Sequence, residues 1–282
     1  MRLLAADIGN TNVTLGLFEG EQLTRSWRAT THPDATEDEV AAGVTQLLAL
    51  DGHRLDELDA VALASVVPPL TDTWVRLLRE RPGLAPLVID ATALAGVLAI
   101  EIDRPAEAGA DRLANALAVR NEFGGPAIVI DLGTSTNFDV VSAEGAYLGG
   151  AIAPGMDLSL EALVGRTSKL PRIELRRPPH AIGANTVHAM QSGAVLGYIG
   201  LVSGLLTALR GELAERSPAG SRVTVVATGG QAPQPWLREV PGIDAVEPEL
   251  TLRGIRYAWV ALRAPGAPAP ATSRAAPAPV DR

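Results

Sequence analysis

The chain contains two versions of one short polar turn, and this internal repeat constrains its fold more than any other feature. Residues 7–12 read DIGNTN, and residues 131–137 read DLGTSTN. Each turn follows an apolar run typical of a buried strand, residues 3–6 in the first copy and residues 127–130 in the second. A second apolar stretch and a glycine-containing turn follow each copy. We therefore predict a duplicated α/β fold with one strand–turn–strand hairpin in each half.

The residue types in the two turns suit phosphate binding. Gly9 and Gly133 lack a Cβ atom, so backbone N–H groups beside them can approach anionic oxygens closely. The carboxylates Asp7 and Asp131 cannot face a phosphate directly, and we expect each to hold a cation or its bound water. A tight β-hairpin with Asp and Asn as turn formers explains one copy equally well. Two copies at matching places favour the phosphate interpretation.

The composition argues against several classes of function. The formal net charge is −8 without a basic block, so we expect no nucleic acid and no membrane as partners. The absence of cysteine excludes disulfides, thiolate metal ligands and a cysteine nucleophile, and it fits a cytoplasmic protein. Lys169 is the only lysine, and no Gly-Lys-Ser/Thr motif is present. Nucleotide binding is therefore expected to rest on backbone amides, hydroxyls and metal.

Helix and strand signals alternate along the chain, which predicts a mainly parallel sheet covered by helices. We expect one domain over residues 1–105, a second over residues 106–263, and a disordered Ala/Pro-rich tail over residues 264–282. The expected elements besides the hairpins are a helix after the capping box at 36–39, strands at 60–65, 86–89 and 222–227, and helices within 71–81, 155–164 and 185–210.

Two further motifs carry candidate chemistry. Residues 109–112 (GADR) open a predicted helix, where Asp111 suits accepting a proton and Arg112 suits pairing an anion. A carboxylate favoured by the helix dipole and a solvent-facing arginine explain the same residues, and the local sequence alone favours that simpler interpretation. Gly229 and Gly230 follow an apolar strand at the end where open α/β sheets bind ligands, although a simple strand-to-helix turn is an equal alternative.

Taken together, the order of these motifs resembles the type III pantothenate kinases, which belong to the acetate kinase, sugar kinase, Hsp70 and actin superfamily. The resemblance extends from residue 1 to about residue 262, and it includes residues 150–155 (GAIAPG), 166–171 (RTSKLP) and 183–186 (GANT). It implies duplicated actin-like (ribonuclease H-like) domains with an ATP cleft between them. The implied reaction is the phosphorylation of pantothenate to 4'-phosphopantothenate by ATP, the first step of coenzyme A biosynthesis.

The resemblance also implies how pantothenate is held. Asp111 is expected to be the general base, while Gly109, Ala110 and Arg112 bind the substrate. Thr186 is expected to reach the pantothenate of a partner subunit, so that a homodimer completes each site.

For the nucleotide and its cations, the resemblance implies a second set of residues. Asp7 is expected near Mg²⁺, and Asp131 is expected to bind a monovalent cation, either K⁺ or NH₄⁺. The expected ATP-binding residues are Asp7, Ile8, Gly9, Asn10, Thr11, Asn12, Thr134, Gly229 and Gly230.

One position departs from the family pattern. Members often have a substrate-contacting tyrosine three residues before the proline that precedes the GADR motif, and this chain has Ile102 there. The loss of one hydrogen bond, about 0.5–1.5 kcal/mol, predicts weaker pantothenate binding or a changed substrate preference.

Two alternatives remain at this stage. One is another phosphotransferase or phosphohydrolase of the superfamily, which ATP hydrolysis without pantothenate would indicate. The other is a catalytically silent nucleotide-binding accessory protein. The intact Asp7, Asp111, Arg112 and Asp131 argue against a silent protein.

Overall fold

The computed structural model describes residues 1–263, in which two five-stranded sheets share one connectivity. The first sheet has the order β3-β2-β1-β4-β5 and the second the order β8-β7-β6-β9-β10. This confirms the duplication that the repeated turn predicts. The strands are β1 (Arg2–Ile8), β2 (Asn12–Glu19), β3 (Gln22–Thr30), β4 (Ala60–Ser65), β5 (Leu87–Ile89), β6 (Ala127–Leu132), β7 (Ser135–Val141), β8 (Tyr147–Pro154), β9 (Thr224–Thr228) and β10 (Ala245–Val246).

Seven α-helices are present in residues 1–263. The first begins with the predicted capping box, in which Thr36 and Glu39 bond each other's backbone N–H groups. A π-helical turn, Ser192–Leu196, joins the fifth and sixth helices into one long segment. The helices are α1 (Glu37–Ala49), α2 (Pro68–Glu80), α3 (Ala110–Phe123), α4 (Met156–Gly165), α5 (Thr186–Gln191), α6 (Gly197–Arg216) and α7 (Leu250–Arg263).

The expectation of a mainly parallel sheet is wrong. In each sheet the hairpin strands pair antiparallel, and only the strands reached through longer connections pair parallel. The reason is geometric, because a chain that reverses through a short turn must lie antiparallel to itself. The sequence reading also gave no prediction for β3 or α7. The predicted Ala/Pro tail lies outside the described residues.

Helices α3 and α7 form a layer between the two sheets. They share one hydrophobic core with the inner faces of β1 and β6, while α1 and α2 cover the outer face of the first sheet and α6 covers that of the second. Side chains alternate along a strand, so Asp7 lies on the same inner face as Leu3 and Ala5. Asp131 follows Ala127 and Val129 in the same way. Each strand therefore places its last inward side chain, a carboxylate, at the end of the helical layer.

Helix α7 packs on the first sheet although it is the last element of the second half. It contacts β1, β2, β4 and β5. The boundary near residue 105 stays a prediction.

Candidate active site

A cleft of about 380 Å³ lies between the two halves, and both polar turns line it. The turns meet there, because the hydroxyl groups of Thr134 and Thr11 are hydrogen-bonded at 2.7 Å. The cleft brings together most of the predicted nucleotide, cation and base residues: Asp7, Gly9, Asn10, Thr11, Asn12, Asp111, Asp131, Thr134, Gly229 and Gly230.

In each turn the glycine N–H closes a backbone hydrogen bond, and the second turn is one residue shorter than the first. In the first, the N–H of Gly9 donates to the carbonyl of Asn12 at 3.0 Å; in the second, the N–H of Gly133 donates to that of Ser135, also at 3.0 Å. The second turn is held further by Gly155, whose N–H donates to the carbonyl of Thr134 at 3.0 Å. A Cβ atom at Gly155 would overlap that backbone, which explains the glycine at the end of the GAIAPG motif.

Three carboxylates face this cleft. Burial raises the pKa of Asp7 well above its usual range, and the charges of Asp111 and Asp131 raise it further. Burial also raises the pKa of Asp131 to about 6, with the charge of Asp111 adding to the effect. The pKa of Asp111 is raised by burial as well. Such mutual repulsion between partly buried carboxylates favours the binding of a cation.

The protein atoms alone do not form a metal centre. No group of three or more His, Asp or Glu residues within residues 1–263 is arranged to hold a metal ion. A cation in the cleft would therefore need further oxygen ligands from water or from a phosphate chain, as is usual for Mg²⁺.

Asp111 and Arg112 lie in the first turn of α3. Gly109 is the N-cap of this helix, and one Asp111 oxygen accepts a hydrogen bond from the backbone N–H of Arg112 at 2.9 Å. Ala110 and Ile8 do not line the cleft, and their side chains are buried in the hydrophobic cores.

The simpler interpretation of Arg112 as a solvent-facing side chain is wrong. Its side chain is 16% exposed, and its Nε donates to the fully buried carboxylate of Asp139 at 2.7 Å. A second guanidinium N–H donates to the carbonyl of Phe138 at 3.1 Å, and the group lies 5.8 Å from the ring centroid of Tyr147. Burial raises the pKa of Asp139, and the adjacent Arg112 charge opposes that rise.

Sequence analysis missed this partner. The available signal was the carboxylate of Asp139 inside the apolar run FDVV, because a charged residue is almost never fully buried in a strand unless a cationic group pairs with it.

A second buried group links Asp131 to this ion pair. Asn115 lies one helical turn after Asp111, and its side-chain N–H₂ donates to Asp131 at 3.2 Å and to Asp139 at 3.4 Å. Its oxygen accepts a hydrogen bond from the hydroxyl of Thr251, at the start of α7, at 2.7 Å. The spacing of four residues from Asp111 was the available signal, since it places both side chains on one face of α3.

Among the predicted substrate residues only Asp111 lines this cleft, whereas Gly109, Ala110, Arg112, Ile102 and Thr186 do not. Thr186 is exposed at the start of α5 and lines a separate groove of about 760 Å³ together with Met156 and Leu163. Ile102 is partly buried and lies against Gly149 of β8. The roles of Thr186 and Ile102 stay predictions.

The sequence analysis did not consider one positively charged side chain that lines the cleft. Arg28 of β3 lines it beside the first turn. The expectation that nucleotide binding rests on amides, hydroxyls and metal stays a prediction, and it did not take this arginine into account.

Comparisons with known proteins agree with this arrangement. The family model described as "Type III pantothenate kinase" matches residues 3–208. A type III pantothenate kinase of Roseiflexus sp. (strain RS-1) is 46% identical over 257 residues, which are 91% of this chain and 98% of that protein. The type III pantothenate kinase of Moorella thermoacetica shows the same identity and coverage.

A solved structure shows likeness in fold alone. The ethanolamine utilization protein EutJ from Carboxydothermus hydrogenoformans aligns with a TM-score of 0.51 at 14% identity, covering 91% of this chain and 89% of that one.

Proposed function

The chain belongs to the type III pantothenate kinase family and phosphorylates pantothenate with ATP, the first step of coenzyme A biosynthesis; from this premise we propose that the reaction takes place in the cleft between the halves, with Asp111 as the base. The observation that carries the proposal is the convergence of both polar turns and Asp111 on one cleft. The family membership removes the support for a silent accessory protein and for a different phosphoryl acceptor.

In this proposal Asp111 accepts the proton of the primary hydroxyl of pantothenate. The hydroxyl oxygen bonds to the γ-phosphorus of ATP while the bond to the bridging oxygen breaks, and ADP leaves. A loose phosphoryl-transfer transition state needs positioning and charge neutralisation more than a strong base. An aspartate whose pKa is raised by burial therefore suffices, provided that the hydroxyl lies within hydrogen-bond reach.

Arg112 is proposed to hold the carboxylate of pantothenate. Two of its five N–H donors bond Asp139 and Phe138, and the other three are left for a substrate. Because the ion pair with Asp139 fixes the plane of the guanidinium, the substrate meets a preorganised donor. Gly109 and the backbone of Ala110 complete this side of the site.

The family uses ATP with a divalent metal ion. We propose that Asp7 lies near Mg²⁺ and that Asp131 holds K⁺ or NH₄⁺. The raised pKa values of both carboxylates support this, because each gains when a cation removes the repulsion. When bound, the cations neutralise charge that develops on the phosphate oxygens.

The nucleotide itself is proposed to lie between the two turns. Gly9, Asn10, Thr11 and Asn12 would face the phosphates together with Thr134. Gly229 and Gly230 would leave room for the ribose and base at the end of β9.

We also propose a homodimer that buries the apolar face of the long helical segment. The segment Thr186–Arg216 is long and apolar enough to cross a membrane by length and composition, yet only 22% of its most apolar stretch is buried. Val187 within this segment and Leu163 of α4 are both more than 40% exposed. A second copy would cover this surface in a cytoplasmic enzyme, and it would bring Thr186 to the partner's pantothenate.

Mixed dimers test the shared site. Asp111→Asn and Thr186→Ala homodimers should each be nearly inactive. After subunit exchange, a mixed dimer contains one site with both residues intact, and about a quarter of wild-type activity should return in an equal mixture. Exchange without recovered activity would refute a site completed across the interface.

The function itself is tested by ADP release in a coupled assay with ATP, Mg²⁺ and pantothenate, run first in potassium and then in sodium. We expect ADP release that requires pantothenate and that falls without potassium. ADP release that is independent of pantothenate would contradict the assignment. Equal rates in the two salts would contradict only the monovalent cation at Asp131.

A further inference from the structure

Arg28 points into the cleft because of its register in the first sheet. Asp7 of β1 pairs with Thr14 of β2, and Thr14 pairs with Arg28 of β3. Directly paired residues on neighbouring strands share one face of a sheet, so the three side chains form a row that ends in the guanidinium. The preceding residue, Trp27, points the other way into the outer core.

The guanidinium of Arg28 spans the cleft towards Gly230. A Cβ atom at Gly230 would overlap the end of the Arg28 side chain, so this group lies directly against the loop that follows β9. Its charge lowers the pKa values of Asp7 and Asp131, although burial outweighs that effect in both. Arg28 thus lies between the first polar turn and the glycine pair.

The Arg28 side chain has no hydrogen-bond or ion-pair partner within residues 1–263, although the cleft contains three carboxylates. Arg25, on the same strand, shows the usual alternative: it pairs with Asp51 at 3.0 Å on the surface. Because the Arg28 side chain stays unpaired beside these carboxylates, its N–H donors are available for a negatively charged ligand.

The internal duplication shows that the hairpin fold does not require this cation. In the second half, Asp131 pairs with Asn137, and Asn137 pairs with Ile152. Ile152 therefore holds the place that corresponds to Arg28, and it is 67% exposed. The cationic side chain is therefore a feature of the first half alone. We look for its role in the ligand that binds on that side of the cleft.

We propose that Arg28 binds the diphosphate part of the nucleotide, between the first turn and Gly230. The inference rests on the proposed placement of ATP in this cleft. The planar fork of donors suits two phosphate oxygens at once, and it supplies the fixed positive charge that a lysine supplies in Gly-Lys-Ser/Thr loops. The partner is thus any nucleoside di- or triphosphate, since the contact does not involve the transferred group.

This position predicts a particular kinetic signature. A contact with phosphates that remain on ADP is already made in the ground state, so it lowers the KM for ATP. Loss of the contact should therefore weaken MgATP and MgADP alike. It should leave the KM for pantothenate close to wild type.

The test compares Arg28→Gln and Arg28→Lys with the matched control Arg25→Gln, which changes the same residue type on the same strand outside the cleft. Calorimetric titration with MgADP should show binding weakened by about tenfold to hundredfold in Arg28→Gln. Arg28→Lys should recover part of the affinity, because it restores the charge without the fork. Arg25→Gln should bind MgADP like wild type.

Steady-state kinetics supply the second readout. We expect the KM for ATP in Arg28→Gln to rise by the same factor as the Kd for MgADP. Unchanged MgADP affinity in Arg28→Gln would overturn the proposal, and so would a lowered kcat with an unchanged KM for ATP. Since the titration contains no pantothenate, its result stands apart from the kinase assignment, which fails only if wild type shows no pantothenate-dependent turnover.

Discussion

The ion pair between Arg112 and Asp139 gives the sharpest prediction about how the site is held. Asp139→Asn keeps an oxygen that can accept from Arg112 Nε, but it removes the charge that compensates a guanidinium with a side chain only 16% exposed. Deleting one partner of a buried pair costs about 3–5 kcal/mol. Retaining a neutral hydrogen bond offsets about 0.5–1.5 kcal/mol of that loss. We therefore expect the free energy of unfolding to fall by about 2–4 kcal/mol.

The effect on catalysis should appear in substrate binding. Without the anion, Arg112 is no longer fixed towards the substrate, and we expect the KM for pantothenate to rise by about tenfold, equivalent to about 1.4 kcal/mol. The KM for ATP should stay near wild type. Urea unfolding and steady-state kinetics measure the two effects separately.

Asp51→Asn is the matched control, because Asp51 also pairs with an arginine, Arg25 at 3.0 Å, but lies on the surface. It should leave the free energy of unfolding close to wild type and both KM values unchanged. A folded Asp139→Asn protein with a wild-type KM for pantothenate would refute the positioning role of Asp139.

Three further predictions concern single positions. Gly229 has a φ of +89°, and a Cβ atom there would overlap Asp131, whereas Gly220 has a φ of +83° and open space around it. Gly220→Ala should therefore lower the free energy of unfolding only by the backbone strain, about 1 kcal/mol. Gly229→Ala should lower it further in thermal unfolding and should also abolish turnover. Equal destabilisation by the two variants would contradict a clash at Gly229. Because the pKa of Asp131 is raised to about 6, the stability that its protonation contributes is complete below about pH 4 and is lost as the pH rises through 6. Potassium should accordingly raise the Tm more at pH 7.5 than at pH 5, and a Tm shift that does not depend on pH would be evidence against a cation at Asp131. Ile102→Tyr should lower the KM for pantothenate by about twofold to tenfold in the kinetic assay, and a variant no tighter than wild type would show that the tyrosine is not needed here.

Local signals in the sequence were sufficient for most of the framework. The repeated turn predicted the duplication, because a glycine between an apolar strand and short polar side chains is encoded in consecutive residues. The capping box at Thr36 and Glu39 predicted the start of α1 for the same reason. The residues of both turns were brought to one cleft, as expected.

The parts that could not be predicted depend on contacts between distant segments. Asp139 meets Arg112 only because β7 lies beside α3, and the buried pair joins residues 27 positions apart. Arg28 enters the cleft through the register of three strands, in a segment whose charged and polar residues gave no strand prediction. Thr186 lies outside the cleft of its own chain, so a single copy cannot show its role.

Asp111→Asn tests the central claim most directly, measured as pantothenate-dependent ADP release beside the Kd for MgADP in the same preparation. Asparagine has nearly the same shape but accepts no proton, so the account predicts a loss of about 10²- to 10⁴-fold in kcat. Binding of MgADP should stay as tight as in wild type or become tighter, because one of three repelling charges in the cleft is gone. Turnover within a few-fold of wild type, from a variant that binds MgADP normally, would contradict Asp111 as the base.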